Sequence, residues 1–214
     1  MGCYAAIHAL KMADHICRAD PSEKVLIVCT ELCTIHFQKD CEMDSIASGL
    51  LFGDGAAAVL VAGNDNNNQQ QGVTIRNFYS QVALDGQNDM AWHLSGKGFL
   101  MHLSAYIPQL LQSGITALLN NALDAGRHCK EEIEHWAIHP GGKKILDSIV
   151  KELGLAADDL RFSYNVLKSF GNMSSPTILF VLKQILAVEG RKGQKIFTAA
   201  FGPGLTMETV ILER

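Results

Sequence analysis

Four short stretches of the sequence carry side chains that could do chemistry, and the first is a cysteine at position 3. In Met1-Gly2-Cys3-Tyr4-Ala5-Ala6 the thiol precedes a predicted helix. A helix amino terminus stabilises negative charge, which favours a thiolate and lowers the pKa of a cysteine. Cys3 is therefore a candidate nucleophile. Taken alone, the same pattern also fits a small, buried structural cysteine.

The other three stretches contain a histidine, an asparagine and a glycine-proline turn. His139 follows the apolar segment Trp136-Ala137-Ile138 and enters a glycine turn, where a histidine can face a cleft or be an ordinary core residue. Asn172 lies between two predicted helices, where its amide can donate to a carbonyl or cap a helix. The fourth stretch, 200–206, taken alone predicts only a hairpin turn.

These residues must be positioned by alternating strands and helices. Two continuous apolar runs, 25–29 and 56–62, predict strands buried on both faces. The small-residue-rich segment 5–16 predicts a helix packed on all sides. The remaining predictions are strands over 73–82 and 136–138, helices over 97–125, 142–153 and 174–188, and a hairpin formed by 195–200 and 206–212. This alternation indicates an α/β layered fold.

Composition limits the function classes. The 214 residues are 48% hydrophobic with a net charge of -4. The chain therefore lacks the excess of basic residues that is typical of nucleic-acid-binding proteins. No apolar run reaches the length of a membrane span. The six cysteines lack zinc-ligand spacing, so we expect no metal site and reduced thiols in a cytoplasmic protein.

The polar segment 64–72 predicts a linker between residues 1–63 and 73–214.

Taken together and in this order, the motifs resemble those of the type III, chalcone-synthase-like polyketide synthases of the thiolase superfamily. The motifs are Gly2-Cys3-Tyr4-Ala5, Leu51-Phe52-Gly53-Asp54-Gly55, Ile138-His139-Pro140-Gly141-Gly142, Gly171-Asn172-Met173-Ser174-Ser175 and Phe201-Gly202-Pro203-Gly204. The resemblance implies a thiolase-like layered α/β/α fold. In that fold residues 1–63 would be the remnant of a truncated amino-terminal half, and 73–214 a nearly complete carboxy-terminal half. A family segment upstream of Cys3 is also implied.

The resemblance implies a mechanism. Cys3 would hold the acyl starter and the growing chain, while His139 and Asn172 would stabilise the enolate formed when malonyl-CoA loses carbon dioxide. The implied substrates are malonyl-CoA and an acyl-CoA starter. No metal or organic cofactor is implied, and the implied assembly is a homodimer.

The resemblance also assigns the substrate cavity. Phe52 matches the family's gatekeeper between the active site and the CoA tunnel, and Ser174 retains the family's serine. Trp92 stands where plant chalcone synthases usually have glycine, Met101 where they have phenylalanine, and His36 where they have threonine. Gly202 belongs to the family's glycine-proline turn and is also assigned to substrate binding. These exchanges favour a linear fatty acyl starter and an alkylpyrone or alkylresorcinol product over a chalcone.

Two other functions remain open at this stage. A ketoacyl-synthase III shares the cysteine, histidine and asparagine, and would prefer an acyl-carrier-protein thioester to malonyl-CoA. A chain without the upstream segment could also be a catalytically inactive fragment, because that segment supplies basic residues for the CoA phosphates. Lys143 and Lys144 could contribute positive charge at a helix start, or could simply be solvated.

Overall fold

A computed structural model of the chain describes residues 2–39, 41, 43–63, 72–86, 89–96, 98–104 and 107–214, without the side chains of Asp44, Trp92, Phe99, Met101 and Leu103. The predicted linker at 64–72 lies outside these residues except for Gly72. Six helices occur in the described part: α1 (Ala5–Ala19), α2 (Met43–Leu51), α3 (Ile107–Gly126), α4 (Lys143–Leu153), α5 (Arg161–Phe170) and α6 (Pro176–Ala187). The strands there are β1 (Lys24–Glu31), β2 (Gly55–Ala62), β3 (Thr74–Val82), β4 (Met90–Ser95), β5 (Gly98–Leu103), β6 (Ile133–Ile138), β7 (Lys195–Gly202) and β8 (Thr206–Glu213).

The main sheet has four strands in the order β3-β8-β7-β6. Strand β8 pairs antiparallel with β3 and β7, whereas β6 and β7 are parallel. Side chains of β7 and β8 are buried on both faces, because α3 and α4 cover one face while α1 and α6 cover the other. This layered arrangement of helices and sheet confirms the predicted α/β class.

The second sheet contains only β1 and β2, which pair antiparallel from Lys24 opposite Ala62 to Glu31 opposite Gly55. Its inner face, with Ile27 and Cys29, packs on α1 and α6. Its outer face is exposed, so the prediction that both runs are buried on two faces is wrong. Both strands carry apolar residues on both faces, but in the described part of the chain only the inner face is covered, by α1 and α6.

Two further predictions need correction. Helix α1 buries one face only, since Met12 and Ile16 are exposed on the other. The predicted helix over 97–125 is in fact a strand followed by a helix: Gly98–Leu103 forms β5, which pairs with β4, and α3 begins at Ile107. The short, mostly apolar segment Gly98–Leu103 does not distinguish strand from helix by periodicity, which explains this error.

The remaining predicted elements are confirmed. Strands β3 and β6, helices α4 and α6, and the hairpin β7–β8 all cover the predicted segments within a few residues. Helices α2 and α5 and the hairpin β4–β5 were not predicted. None of the helices among the described residues combines the length and apolar character required to cross a membrane.

Candidate active site

One cavity of about 1190 Å³ brings together the three residues predicted to do chemistry. Cys3, His139 and Asn172 all line it, although 169 residues separate the first from the last. All three side chains are buried. Their elements meet here because the start of α1, the end of β6 and the turn between α5 and α6 lie at the same end of the layers. The sequence motifs therefore form one site.

Cys3 lies just before α1 and is held from two sides. Its Sγ is 3.9 Å from Oδ1 of Asn172, within reach of a weak thiol hydrogen bond. On the other side, the ring of Tyr4 packs against Gly202. A Cβ at Gly202 would lie 2.4 Å from Cδ1 of Tyr4, so only glycine leaves room for this ring. The β7–β8 turn thus fixes the turn that carries the thiol.

His139 follows directly after β6, where its backbone N–H donates to the carbonyl of Ala199 on β7 at 2.8 Å. Among the described residues, neither ring nitrogen has a hydrogen-bond partner, although both are buried. The ring lies beside Gly141, since a Cβ on that glycine would be 3.9 Å from Nε2 of His139. A buried imidazole without a partner, at the wall of a cavity, is suited to bind a polar group of a ligand.

Asn172 is fixed through both its backbone and its amide. Its backbone N–H donates to Leu51 and its carbonyl accepts from Gly53, each at 2.9 Å, which forms a bridge to Phe52. The side-chain Oδ1 accepts the backbone N–H of Ser174 at 2.9 Å, while Nδ2 lies 3.4 Å from the carbonyl of Gly141. This network assigns the amide orientation, with Nδ2 as the donor on the His139 side of the site.

The ionisation of the site differs from the sequence expectation for Cys3. Burial raises the pKa of the Cys3 thiol to about 11. Hydrogen bonding with Ser174 and Asn172 lowers this pKa, and the carboxylate of Glu31 raises it. Burial alone lowers the pKa of His139 to about 3. The predicted lowering of the cysteine pKa at the helix start is therefore wrong for the resting site, because the cost of burying a charge is the larger effect.

Two hydrogen-bonded loops complete the wall around Cys3. Asp54 accepts the backbone N–H and hydroxyl of Thr34 at 2.8 and 2.7 Å, which fixes the 3-10 turn Cys33–His36. Glu31, at the end of β1, accepts the hydroxyl of Ser175 at 2.6 Å. Burial, and then Glu31, raise the pKa of the Cys33 thiol to about 12. The loops thus present the neutral Cys33 thiol close to two carboxylates, Glu31 and Asp54.

The other predicted site residues fall into four groups. Phe52, His36 and Ser174 line the cavity, with Ser174 in a left-handed backbone conformation at φ 59°. Gly202 is not a lining residue, and its direct contact with substrate stays a prediction.

The backbones of Trp92 and Met101 pair across β4–β5, but their side chains lie outside the described part. Lys143 and Lys144 are exposed, and Lys143 pairs with Asp147 at 2.8 Å, which favours the solvated alternative.

Sequence reasoning missed several residues of the wall. They are Glu31 at the end of β1, Cys33 just after it, Ser45 and Ser48 on α2, and His93, Leu100 and His102 on β4–β5. A signal existed for the first two, because polar residues at the end of a buried strand are well placed to face a cleft.

No three histidine, cysteine or carboxylate side chains converge as metal ligands within the described residues.

Solved structures with the same fold define the class of protein. The type III polyketide synthase domain of the Dictyostelium hybrid Steely1 superposes with a TM-score of 0.93 at 29% identity. It covers all of this chain, and the chain covers 60% of it. The 1,3,6,8-tetrahydroxynaphthalene synthase of Streptomyces coelicolor gives 0.92 at 27%, with the same coverage. PKS-I of the brown alga Ectocarpus siliculosus, at 24% identity, shares the fold with a TM-score of 0.92. The fold is that of the thiolase-like type III polyketide synthases.

The sequence comparisons are more specific. The model of the chalcone and stilbene synthase carboxy-terminal domain matches residues 75–214, and the chain belongs to this family. The model of 3-oxoacyl-[acyl-carrier-protein] synthase III matches residues 1–78. The alpha-pyrone synthesis polyketide synthase-like protein Pks18 of Mycobacterium tuberculosis and Mycobacterium bovis is 33% identical over the whole chain. The chain spans 55% of the length of these curated relatives.

Proposed function

We propose that this chain carries the condensing centre of a type III polyketide synthase, with Cys3 as nucleophile and His139 and Asn172 as the groups that stabilise the enolate. The observation that carries the proposal is the single cavity that these three buried side chains share. The proposed substrates are malonyl-CoA and an acyl-CoA starter. No cofactor enters the chemistry, because the departing carboxylate supplies the electron pair.

The first step is transfer of the starter acyl group to Cys3. The thiol and the imidazole each resist charge alone, since burial opposes both ions. Transfer of the proton from Cys3 to His139 forms two opposite charges at once, which stabilise each other in a poorly solvated cavity. The thiolate then attacks the thioester carbonyl and forms a new carbon–sulfur bond. The CoA sulfur leaves and takes the proton from His139.

The second step is decarboxylative condensation. Malonyl-CoA loses carbon dioxide, and the electron pair of the broken bond moves to the thioester oxygen as an enolate. The Nδ2 group of Asn172 and a protonated ring nitrogen of His139 donate to this oxygen. One such donor typically contributes on the order of 100- to 1000-fold in rate. The enolate carbon then attacks the acyl group on Cys3, a carbon–carbon bond forms, and the Cys3 thiolate is released.

The experiment for this proposal is intact-mass analysis of the 214-residue chain incubated with a fatty acyl-CoA. We expect one acyl adduct that Cys3→Ser abolishes and that Cys33→Ser, the matched control in the same cavity, leaves in place. Carbon dioxide release from malonyl-CoA then tests His139→Ala and Asn172→Ala, which should slow it by about 100-fold or more. An adduct on Cys33 or Cys29 would contradict the assignment of the nucleophile.

We extend the proposal to an alkylpyrone or alkylresorcinol product made from a linear fatty acyl starter. The support is the similarity to Pks18, an alpha-pyrone synthesis polyketide synthase-like protein, and the residue types at positions 92 and 101. An indole accounts for on the order of 200 Å² of side-chain surface, so Trp92 would close one lobe of the cavity. Trp92→Gly should then lengthen the polyketide or admit bulkier starters. A lower melting temperature with unchanged products would instead assign Trp92 to the core.

A second candidate is a ketoacyl-synthase III, which the family match of residues 1–78 favours. Faster condensation with malonyl-acyl-carrier-protein than with malonyl-CoA would select it. Cys3 that takes up no acyl group from either donor would instead support an inactive fragment. A homodimer in the cytoplasm belongs to the primary proposal, and light scattering of the purified chain tests the dimer.

A further inference from the structure

Glu208 is a buried carboxylate that the proposed chemistry does not use. It lies on β8, which is buried from Met207 to Leu212, and it is the one charged residue within that stretch. Only 4% of its surface is exposed, and it does not line the cavity around Cys3. Burial of a carboxylate costs free energy unless polar groups bind it. The groups around Glu208 therefore indicate what it does.

These groups come from α1 and β3. The hydroxyl of Ser80 on β3 donates to Oε2 of Glu208 at 2.6 Å, and Nζ of Lys11 on α1 donates to the same hydroxyl oxygen at 3.0 Å. Nδ1 of His8 lies 3.7 Å from Oε1 of Glu208, and this buried nitrogen has no hydrogen-bond partner among the described residues. We name Glu208, Ser80, His8 and Lys11 the Glu208 network. It links α1 to two strands of the four-stranded sheet.

The α1 residues that meet this sheet follow one stripe of the helix. Tyr4, His8 and Lys11 have the spacing i, i+4 and i+7, which places their side chains on one face. At the start of the stripe the ring of Tyr4 packs against Gly202. One and two turns further along, His8 and Lys11 reach the Glu208 network. The stripe thus runs from the turn that carries the proposed nucleophile to the third turn of α1.

The network is the directional part of an otherwise apolar interface. Apolar contacts are non-directional, so they resist a small rotation or shift of a helix only weakly. A hydrogen-bonded carboxylate loses its partners in such a movement, and single buried polar groups fix register in helix pairs in the same way. The buried face of α1 consists of Ala6, Ile7, Leu10, Ala13 and Cys17.

We propose that Glu208 is a positioning residue for Cys3 and acts through α1. This inference rests on the proposed role of Cys3 as nucleophile. The thiol lies just before the helix that the network holds, and its Sγ is 3.9 Å from Oδ1 of Asn172, a weak contact that a small shift of α1 would break. Within the described residues, the side chains that shift the pKa of this thiol are Ser174, Glu31 and Asn172. Glu208 therefore acts through position, and its charge has no direct effect on the thiol.

The test compares two carboxylates of β8 in the 214-residue chain. Glu208→Gln keeps the shape of the side chain and removes its charge. Glu213→Gln is the matched control, because Glu213 pairs with Arg76 at the other end of the same strand. Single-turnover acylation of Cys3 by dodecanoyl-CoA gives the maximal rate constant and the half-saturating concentration separately.

We expect Glu208→Gln to lower the maximal rate constant about tenfold, because a small displacement of a reacting atom has a large effect on rate. The half-saturating concentration should stay within about twofold, since a residue outside the cavity makes no contact with the acyl-CoA. Glu213→Gln should leave both quantities within about twofold, because a pair near the surface contributes little.

Two further measurements keep the test independent of any one variant. Ser80→Ala should slow acylation by about threefold, and Ser80→Thr, which keeps the hydroxyl, should restore it. The nuclear Overhauser contact between the Tyr4 ring and the α protons of Gly202 reports the position of α1 without any activity. It should weaken in Glu208→Gln and Ser80→Ala and persist in Ser80→Thr.

Unchanged acylation or an unchanged Tyr4–Gly202 contact in folded Glu208→Gln would overturn the proposal. Equal losses in Glu208→Gln and Glu213→Gln would also overturn it, because both would then reflect the general stability of β8. Melting curves show which variants are folded, and the Ser80 pair decides if Glu208→Gln is not. Should the unmodified chain take up no acyl group, the condensing assignment fails, and the Tyr4–Gly202 contact alone decides the role of Glu208.

Discussion

The sheet β3-β8-β7-β6 and the sheet β1–β2 use similar apolar residues but bury them differently. Strand β7 is buried along seven consecutive residues, whereas β1 buries only Ile27 and Cys29. The outer residues Phe197 and Ile211 pack under α3, while the outer residues Leu26 and Leu60 are exposed. Burial of an apolar strand thus depends on what covers it, and strand composition alone does not determine it.

The candidate active site lies between these two regions and takes residues from both. Cys3 and Glu31 belong to the region of α1 and the two-stranded sheet, while His139, Asn172 and Ser175 belong to the region of the four-stranded sheet. The bonds from Ser175 to Glu31 and from Asn172 to the Leu51–Gly53 segment cross the boundary. The geometry of the cavity therefore depends on how firmly the two regions are joined.

The largest expected effect separates the two sheets directly. Phe197→Ala removes a ring that is fully buried between β7 and α3, and we expect a loss of about 3–5 kcal/mol in the free energy of unfolding. Leu26→Ala on the uncovered sheet should change it by less than about 0.5 kcal/mol. Denaturant unfolding of both variants measures the difference. Equal losses would contradict the description of Leu26 and the outer face of β1–β2 as exposed.

The second prediction concerns the two titratable residues of the proposed catalytic site, His139 and Cys3, which affect stability at opposite ends of the pH scale. Burial holds the pKa of His139 at about 3 against an ordinary value of 6.5, so below pH 6.5 the unfolded chain binds a proton that the folded chain excludes. Stability is complete above pH 6.5 and falls by about 3 kcal/mol by pH 4, since each pKa unit is about 1.4 kcal/mol. His139→Gln should flatten this acid limb in pH-dependent unfolding.

Cys3 gives the alkaline counterpart. Its pKa is raised to about 11 from 9.0, so the unfolded chain loses its proton first, and stability falls by about 1 kcal/mol between pH 9 and 10. Cys3→Ser should remove this alkaline limb and leave the acid limb unchanged. If each variant altered both limbs, the two groups would already be ionised as a pair in the resting protein.

The third prediction concerns the contact that joins β2 to the Asn172 turn. A Cβ at Gly55 would lie 2.4 Å from Sδ of the buried Met173, so Gly55→Ala forces the next residue after Asn172 to move. We expect a loss of about 2 kcal/mol and slower acylation of Cys3. Gly96→Ala is the control, because nothing lies within 4 Å of a Cβ there. Unchanged acylation in Gly55→Ala would show that the two regions are not coupled through Met173.

The smallest expected effect comes from the bond between the regions at Glu31. Ser175→Ala removes a 2.6 Å hydrogen bond to a partly buried carboxylate, and we expect a loss of about 1 kcal/mol in stability. Ser148→Ala on α4 is a comparison outside this bond. A Ser175→Ala variant as stable as the unmodified chain would mean that water replaces the hydroxyl at Glu31 without cost.

Sequence reasoning predicted most of the four-stranded sheet. It also singled out Cys3, His139 and Asn172, which line the same cavity. The β7–β8 hairpin follows from two apolar runs around a glycine-proline turn, and α4 follows from clear helical periodicity. The motifs around Cys3, His139 and Asn172 suggested one site, and they line one cavity. Local patterns were sufficient where local and tertiary preferences agree.

The failures have a common physical origin, which is dependence on distant partners. The exposure of the outer face of β1 depends on what covers that face, and this information is absent from the residues of β1 themselves. The pKa of Cys3 depends on burial by elements more than a hundred residues away, and this exceeds the local effect of the helix start. Likewise, β5 is a strand because β4 lies beside it, while its short, mostly apolar sequence suits a helix equally well.

The packing of Tyr4 against Gly202 has a consequence for synthesis of the protein on the ribosome. The turn that holds Cys3 contacts Gly202 and Pro203, which lie about 200 residues further along the chain. Chains emerge at about 5–20 residues per second, so this contact cannot form until at least about 10 s after Cys3 has been made. A nascent chain therefore carries its thiol in an unfinished environment, and the cavity around Cys3 is completed only after the β7–β8 turn has emerged from the ribosome.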